Sequence, residues 1–200
     1  MNNKLVLIEG FEATGKTSIS NHLTKIMDAK YIHAPQGLTN FTEDLYQHII
    51  KRYTRIDNDA KMLIFLAGHM EVIKQANRLK VIGNLVCDRS LLSTLVYQGM
   101  EFKPFMNVLM AVGMPRLEYD SAIVLTADVD TVTDRLQRRG KLDTLDDYFI
   151  LNLQRIVDSY HLNAPILYPD AHIIDTSNMS LAQVEDLVIA KVEEDLCNSN

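Results

Sequence analysis

Gly10-Phe11-Glu12-Ala13-Thr14-Gly15-Lys16-Thr17 follows the spacing G-x-x-x-x-G-K-[ST], and its residue types already define a task. The two glycines let the backbone turn so that successive N–H groups, from Ala13 through Ser18, face inward around a phosphate. Lys16 adds a full positive charge, and the Thr17 hydroxyl is placed to ligate Mg²⁺ bridging the outer phosphates of ATP. Gly10, Ala13, Thr14, Gly15, Lys16, Thr17 and Ser18 are therefore the candidate nucleotide ligands. A second cluster starts at Asp88-Arg89 and runs through Ser93, Thr94, Tyr97 and Gln98. Just after an apolar run, a carboxylate at Asp88 can reach the metal shell and the Arg89 guanidinium an acceptor phosphate. A third cluster, Arg135, Arg138, Arg139 and Lys141, puts four positive charges into seven residues.

These groups need elements to hold them. Leu5-Val6-Leu7-Ile8, Tyr31-Ile32, Leu85-Val86-Cys87, Ala122-Ile123-Val124-Leu125 and His172-Ile173-Ile174 are short, continuous apolar runs, the pattern of strands buried on both faces of a parallel sheet. Ile19, Leu23 and Ile26 recur at helical spacing after the first run, as do Leu181, Val184, Leu187, Val188 and Val192 near the end. Two further helices are expected at about Thr42 to Arg52 and Ala60 to Leu79. Such βαβ alternation predicts a three-layer α/β fold with ligands outside the carboxyl ends of the strands, where the first two clusters begin.

Composition narrows the classes. With 200 residues, 47% of them hydrophobic and 23% charged, the chain suits one globular domain spanning 1–200 and excludes fibrous and disordered classes. A formal charge of −6 disfavours nucleic acid and anionic membrane as partners, so phosphate binding must be local. Cys87 and Cys197 form no disulfide framework, and no Cys/His cluster has zinc spacing. The four-residue run Leu5 to Ile8 is too short for a signal-peptide core or a membrane span, so the expectation is a cytoplasmic protein. A GTPase would carry N-K-x-D, which is absent, and a motor ATPase usually needs a longer chain; a small kinase remains.

From Asp88 onward the sequence resembles the thymidylate kinases, whose pattern D-R-x-x-x-S-x-x-A-Y-Q is matched by Asp88, Arg89, Ser93, Tyr97 and Gln98, with Val96 for Ala. The similarity extends from about Lys4 to Ser177, and Glu9 through Thr17 follows the family's phosphate loop with two small changes. The resemblance implies a P-loop kinase fold: a five-stranded parallel sheet flanked by helices, with a small lid at about 135–147. It implies a homodimer and nucleotide substrates, with ATP and Mg²⁺ as cofactors. Glu12 would be the carboxylate facing the acceptor's sugar and phosphate, and Phe65, in Leu63-Ile64-Phe65-Leu66-Ala67, the aromatic stacked on the pyrimidine. Tyr97 would pack against C2′ of the sugar. Arg135 and Arg139 would act on the transferring phosphoryl group, with Arg138 on ATP and Thr176 near the adenine.

The chain also departs from the family. His33-Ala34-Pro35-Gln36-Gly37 lacks the charged acceptor clamp, and Asp143-Thr144-Leu145-Asp146 lacks the lid arginine. His69 stands where the family places an arginine on the pyrimidine O4; a neutral histidine can donate or accept, which leaves the acceptor's base open. The reading that follows is transfer of the ATP γ-phosphoryl group to a pyrimidine deoxynucleoside monophosphate, dTMP first. A deoxynucleoside kinase and a nucleotide-binding module without turnover stay open as alternatives.

Overall fold

The computed structural model describes residues 3–37, 39–140 and 144–198. Strands β1 (Leu5–Gly10), β2 (Lys30–His33), β3 (Leu85–Asp88), β4 (Ser121–Thr126) and β5 (His172–Asp175) form one parallel sheet in the order β2-β3-β1-β4-β5. The described helices are α1 (Lys16–Ile26), α2 (Asn40–Ile50), α3 (Asn58–Leu79), α4 (Leu91–Tyr97), α5 (Phe102–Ala111), α6 (Val129–Arg139), α7 (Thr144–Leu151), α8 (Leu153–Leu167) and α9 (Leu181–Asn198).

All of β1 is buried, and its alternate residues serve opposite faces. Leu5 and Leu7 join a core with Leu95, Phe105, Ile156 and Tyr160 from α4, α5 and α8. Val6 and Ile8 join Ile19 and Leu23 of α1 and Val184 and Val188 of α9. Each such aliphatic side chain removed from water contributes about 1.5–3 kcal/mol, so the strand carrying the phosphate loop is fixed from both sides. β1 has β3 on one side and β4 on the other, and chain connections leave in opposite directions there. A crevice opens at the carboxyl ends of these three strands.

All five expected strands are present, as are the four expected helices. The helix expected from Thr42 starts at Asn40, because the Thr39 side chain caps it by accepting from the Thr42 N–H. Helix α4 escaped the periodicity argument: in LLSTLVY, five of seven residues are buried, so it has no polar face to reveal a period. Among the described residues, no helix is long and apolar enough to cross a membrane.

Candidate active site

The loop between β1 and α1 is shaped by backbone freedom. A Cβ on Gly10 would lie 2.6 Å from the Leu125 carbonyl oxygen, and Gly15 takes φ +92° at the cap position of α1. Gly15 has no side chain to cap the helix, so the first-turn N–H groups of α1 stay available to an anion. Thr14 folds inward and donates its hydroxyl to the Phe11 carbonyl at 2.8 Å, while Thr17 and Ser18 stand exposed at the loop's mouth. Lys16 is buried and pairs with Asp88 Oδ1 at 3.1 Å; the Tyr31 hydroxyl donates to Asp88 Oδ2 at 2.7 Å. Burial pushes the Asp88 carboxyl up, but the charges of Lys16 and Arg89 outweigh it and hold the group below its ordinary range. The structure therefore brings Lys16, at the start of α1, against Asp88, at the end of β3.

Beside the loop lies a cavity of about 540 Å³. Its charged end is made by Glu12 of the phosphate loop, Arg89 and Arg139, and its walls are Tyr46, Tyr53, Phe65, Tyr97, Tyr148 and Phe149. Arg89 donates to Glu12 Oε1 and lies 5.4 Å from the centre of the Tyr97 ring. Burial raises the Glu12 carboxyl, but Arg89, with Lys16 and Arg139, draws it below the ordinary value, so it stays ionised. Gly68 of α3 allows the floor to close. A Cβ there would come within 2.9 Å of Pro35, which lines the cavity at the point where the family's clamp is missing.

The residue the sequence reading overlooked is Glu9. Its carboxylate is fully buried and accepts from Ser90 Oγ, from Ser93 Oγ at 2.8 Å, from the Tyr160 hydroxyl at 3.2 Å and from the N–H groups of Ser93 and Gly10. One carboxylate thus ties the phosphate-loop strand to α4 and α8. Strand parity could have found it: Glu9 follows Leu5 and Leu7 on the face that packs into the core, where a charge is out of place unless satisfied.

Several expected contacts are corrected by the geometry. Ser93 borders the cavity, but its hydroxyl is committed to Glu9 and Tyr160 rather than to a ligand. His69 does not line the cavity. An imidazole is shorter than the arginine it replaces, and it ends behind Thr94, with Nε2 2.9 Å from Thr94 Oγ1. Arg135 faces the phosphate loop but is occupied: it donates to the Ala13 carbonyl at 3.0 Å and to the Thr176 hydroxyl and carbonyl at 3.0 and 2.7 Å. It braces the loop rather than reaching for the phosphoryl group. Thr176 is buried, donating to the Thr126 carbonyl at 3.0 Å, so its side chain is not open to a nucleotide. Arg138 points away, with its side chain 79% exposed and paired to Asp134 one turn earlier. Arg139, one turn beyond Arg135, does line the cavity. Lys141 and Asp143 lie outside the described residues.

The oxygen donors fit a hard cation. Among the described residues there is no group of three or more His, Cys, Asp or Glu able to hold a metal by itself. A cation would therefore rest on the Thr17 hydroxyl, Asp88 and the phosphates, keeping several waters, which suits Mg²⁺. Among the described residues, Asp88 Oδ1 has no hydrogen-bond donor beyond its ion pair with Lys16.

A phosphate cradle opening onto a cavity with a charged end and aromatic walls is equipment for phosphoryl transfer between two nucleotides, and the comparisons agree. Residues 8–188 match the family model described as thymidylate kinase. A thymidylate kinase of Legionella pneumophila is 29% identical over 97% of this chain and 96% of its own length. A Methanocaldococcus jannaschii protein named "Probable thymidylate kinase" is 26% identical over 94% of this chain and 95% of its own. Among solved structures, a thymidylate kinase from Candida albicans has the same fold, with a TM-score of 0.75 at 21% identity over 97% of this chain and 92% of that one. With the family model spanning nearly the whole sheet and both halves of the crevice, the chain belongs to the thymidylate kinase family and is a nucleoside-monophosphate kinase.

Proposed function

We propose that the protein transfers the γ-phosphoryl group of ATP to a pyrimidine deoxynucleoside monophosphate, converting dTMP to dTDP. The carrying observation is the cavity, whose Glu12, Arg89 and Arg139 end adjoins the phosphate loop and whose far walls are aromatic. An oxygen of the acceptor phosphate attacks the γ-phosphorus. The bond from that phosphorus to the bridging oxygen breaks, and ADP leaves with the electron pair. The acceptor is already ionised near pH 7, so no general base is needed, and the work is alignment and charge neutralisation. Arg89 orients the acceptor phosphate, Lys16 moves from Asp88 to the ATP phosphates, and Arg139 closes the charged end. Mg²⁺, when bound, supplies charge neutralisation on the transferring phosphates. Glu12, paired to Arg89 and held ionised at low pKa, is a poor base, which speaks against a hydroxyl acceptor.

The expected result of an ADP-release assay with ATP and Mg²⁺, run against natural nucleosides and monophosphates, is turnover of dTMP and none of thymidine. Turnover of thymidine alone would make the protein a nucleoside kinase, and no turnover would make it a binding module. A homodimer, a single domain over residues 1–200 and a cytoplasmic location follow from the same reading, and light scattering tests the first.

Sugar selection is assigned to Tyr97, whose ring lines the cavity beside Arg89 and leans on Phe149 at 6.2 Å between centroids. A ribose 2′-hydroxyl pressed on that ring loses its water partners, a penalty of about 1–3 kcal/mol. The kcat/KM for dUMP should exceed that for UMP by roughly ten- to a hundredfold. Equal values would remove this role from Tyr97.

A further inference from the structure

Among the polar groups on the walls of the cavity, Gln98 and Thr94 are two that can read a base. Gln98 is the fixed one: its Oε1 accepts from the Tyr53 hydroxyl at 2.9 Å, which leaves its amide N–H₂ as a donor. A donor there suits the ring carbonyl that every natural pyrimidine carries beside its glycosidic nitrogen. Thr94 is the other, and its hydroxyl is within 2.9 Å of His69 Nε2.

The partner decides what a buried hydroxyl can offer. Were Thr94 held by a lysine or arginine, it would always accept from that side and so always donate into the cavity, selecting a carbonyl. His69 imposes no such rule. It is fully buried, and burial, with His33 and Arg89 adding to it, holds the ring's pKa down to about 3, so the imidazole is neutral at working pH. A neutral imidazole has two tautomers. With the proton on Nε2, His69 donates to Thr94 Oγ1 and the hydroxyl hydrogen turns to the ligand. With the proton on Nδ1, Nε2 accepts from Thr94 and the hydroxyl presents lone pairs. The ring also borders a second cavity of about 500 Å³ lined by Val72, Ile73, Met106 and Tyr168, which is roomy enough for water. The described cations of the substrate cavity, Arg89 and Arg139, gather with Glu12 at the charged end.

We infer that the enzyme phosphorylates 4-amino as well as 4-oxo pyrimidine deoxynucleoside monophosphates, dCMP as well as dUMP and dTMP, the His69–Thr94 pair switching between donor and acceptor to match the base. This rests on the proposed phosphorylation of a pyrimidine deoxynucleoside monophosphate in the same cavity. His69 is a positioning residue that acts through Thr94.

The test is kcat/KM of the full chain for dTMP, dUMP and dCMP, the last two differing in the C4 group and ring protonation alone. The expected result is dCMP within about tenfold of dUMP, since a site with a fixed reader rejects the mismatched group by far more. Turnover of dUMP and dTMP with dCMP a hundredfold or more behind would overturn the switch while leaving dTMP phosphorylation standing. Turnover of none would overturn both. Thr94→Val, nearly isosteric, should lower dUMP and dCMP by a similar factor of about ten, and a loss confined to one base would contradict a shared reader. His69→Arg, a permanent donor, should raise the dUMP to dCMP ratio at least about tenfold, whereas His69→Gln, whose amide can present either atom, should leave it unchanged. A ratio unmoved by His69→Arg in a variant with native circular dichroism overturns the inference. Should that variant not fold, the wild-type ratio and Thr94→Val decide it.

Discussion

Arg89→Ala should lower kcat for dTMP phosphorylation by at least about a hundredfold, the usual scale for loss of a preorganised charge at a developing anionic centre. The guanidinium is partly buried, donates to Glu12 and lines the substrate cavity. Removing it takes a cation from the acceptor phosphate and at the same time leaves the Glu12 carboxylate facing that phosphate without its main partner. The sign of the secondary effect follows. Glu12 has its pKa lowered in the folded protein, so its ionised form contributes stability above its unfolded pKa and loses it as pH falls through the folded value. Without Arg89, burial is opposed only by Lys16 and Arg139, the Glu12 pKa rises, and the variant should lose stability at higher pH on acidification than the parent. Arg89→Lys should recover part of kcat and little of the substrate orientation, because a point charge cannot reproduce a planar two-pronged donor. Binding of ATP should change little, as the cradle and Lys16 are untouched. An Arg89→Ala enzyme with kcat within threefold of the parent would remove this residue from the mechanism.

The strands and the phosphate loop were legible because their signals are local: a doubly buried parallel strand is a run of apolar residues, and the loop is one segment. The approach of Asp88 to the phosphate loop was legible too, since β3 lies next to β1, Asp88 closes β3, and the loop after β1 delivers Lys16 as the first residue of α1. Side-chain direction was not. Arg135, Arg138 and Arg139 are one cluster in sequence and neighbours on one helix, yet Arg135 turns to the phosphate loop and Arg139 to the cavity while Arg138 pairs with Asp134 in solvent. The resemblance put His69 at a base-reading position four residues after Phe65, and only geometry shows that the shorter side chain stops at Thr94. The Glu9 network was hidden for a further reason. Its partners Ser90, Ser93, Tyr160 and Tyr168 come from segments far apart in the chain, and nothing local announces that they meet.

That network carries the second large expected effect. Arg89 holds φ +73°, the left-handed region, where a residue with a side chain is strained by about 1–2 kcal/mol. Something must hold it there. Immediately after it, Ser90 donates to Glu9 and itself accepts from the Tyr168 hydroxyl at 2.7 Å; three residues further, the Ser93 hydroxyl and N–H both donate to the same carboxylate. Glu9 therefore pins the chain on the far side of the strained residue and aims its guanidinium at the cavity. Glu9→Gln keeps the volume but sets an amide N–H₂ against hydroxyls that had been donors, which should destabilise the fold by about 2–3 kcal/mol. It should also lower kcat by roughly ten- to a hundredfold as Arg89 relaxes, with KM for ATP nearly unchanged. Lost stability alone would fit any buried carboxylate, so the decisive measurement is the double-mutant cycle at a temperature where all variants are folded. If Glu9 works by positioning Arg89, its substitution should have little further effect on kcat once Arg89 is alanine, because the group it aims is gone. A full Glu9→Gln penalty persisting in the Arg89→Ala background would place the action of Glu9 elsewhere, at the phosphate loop it begins.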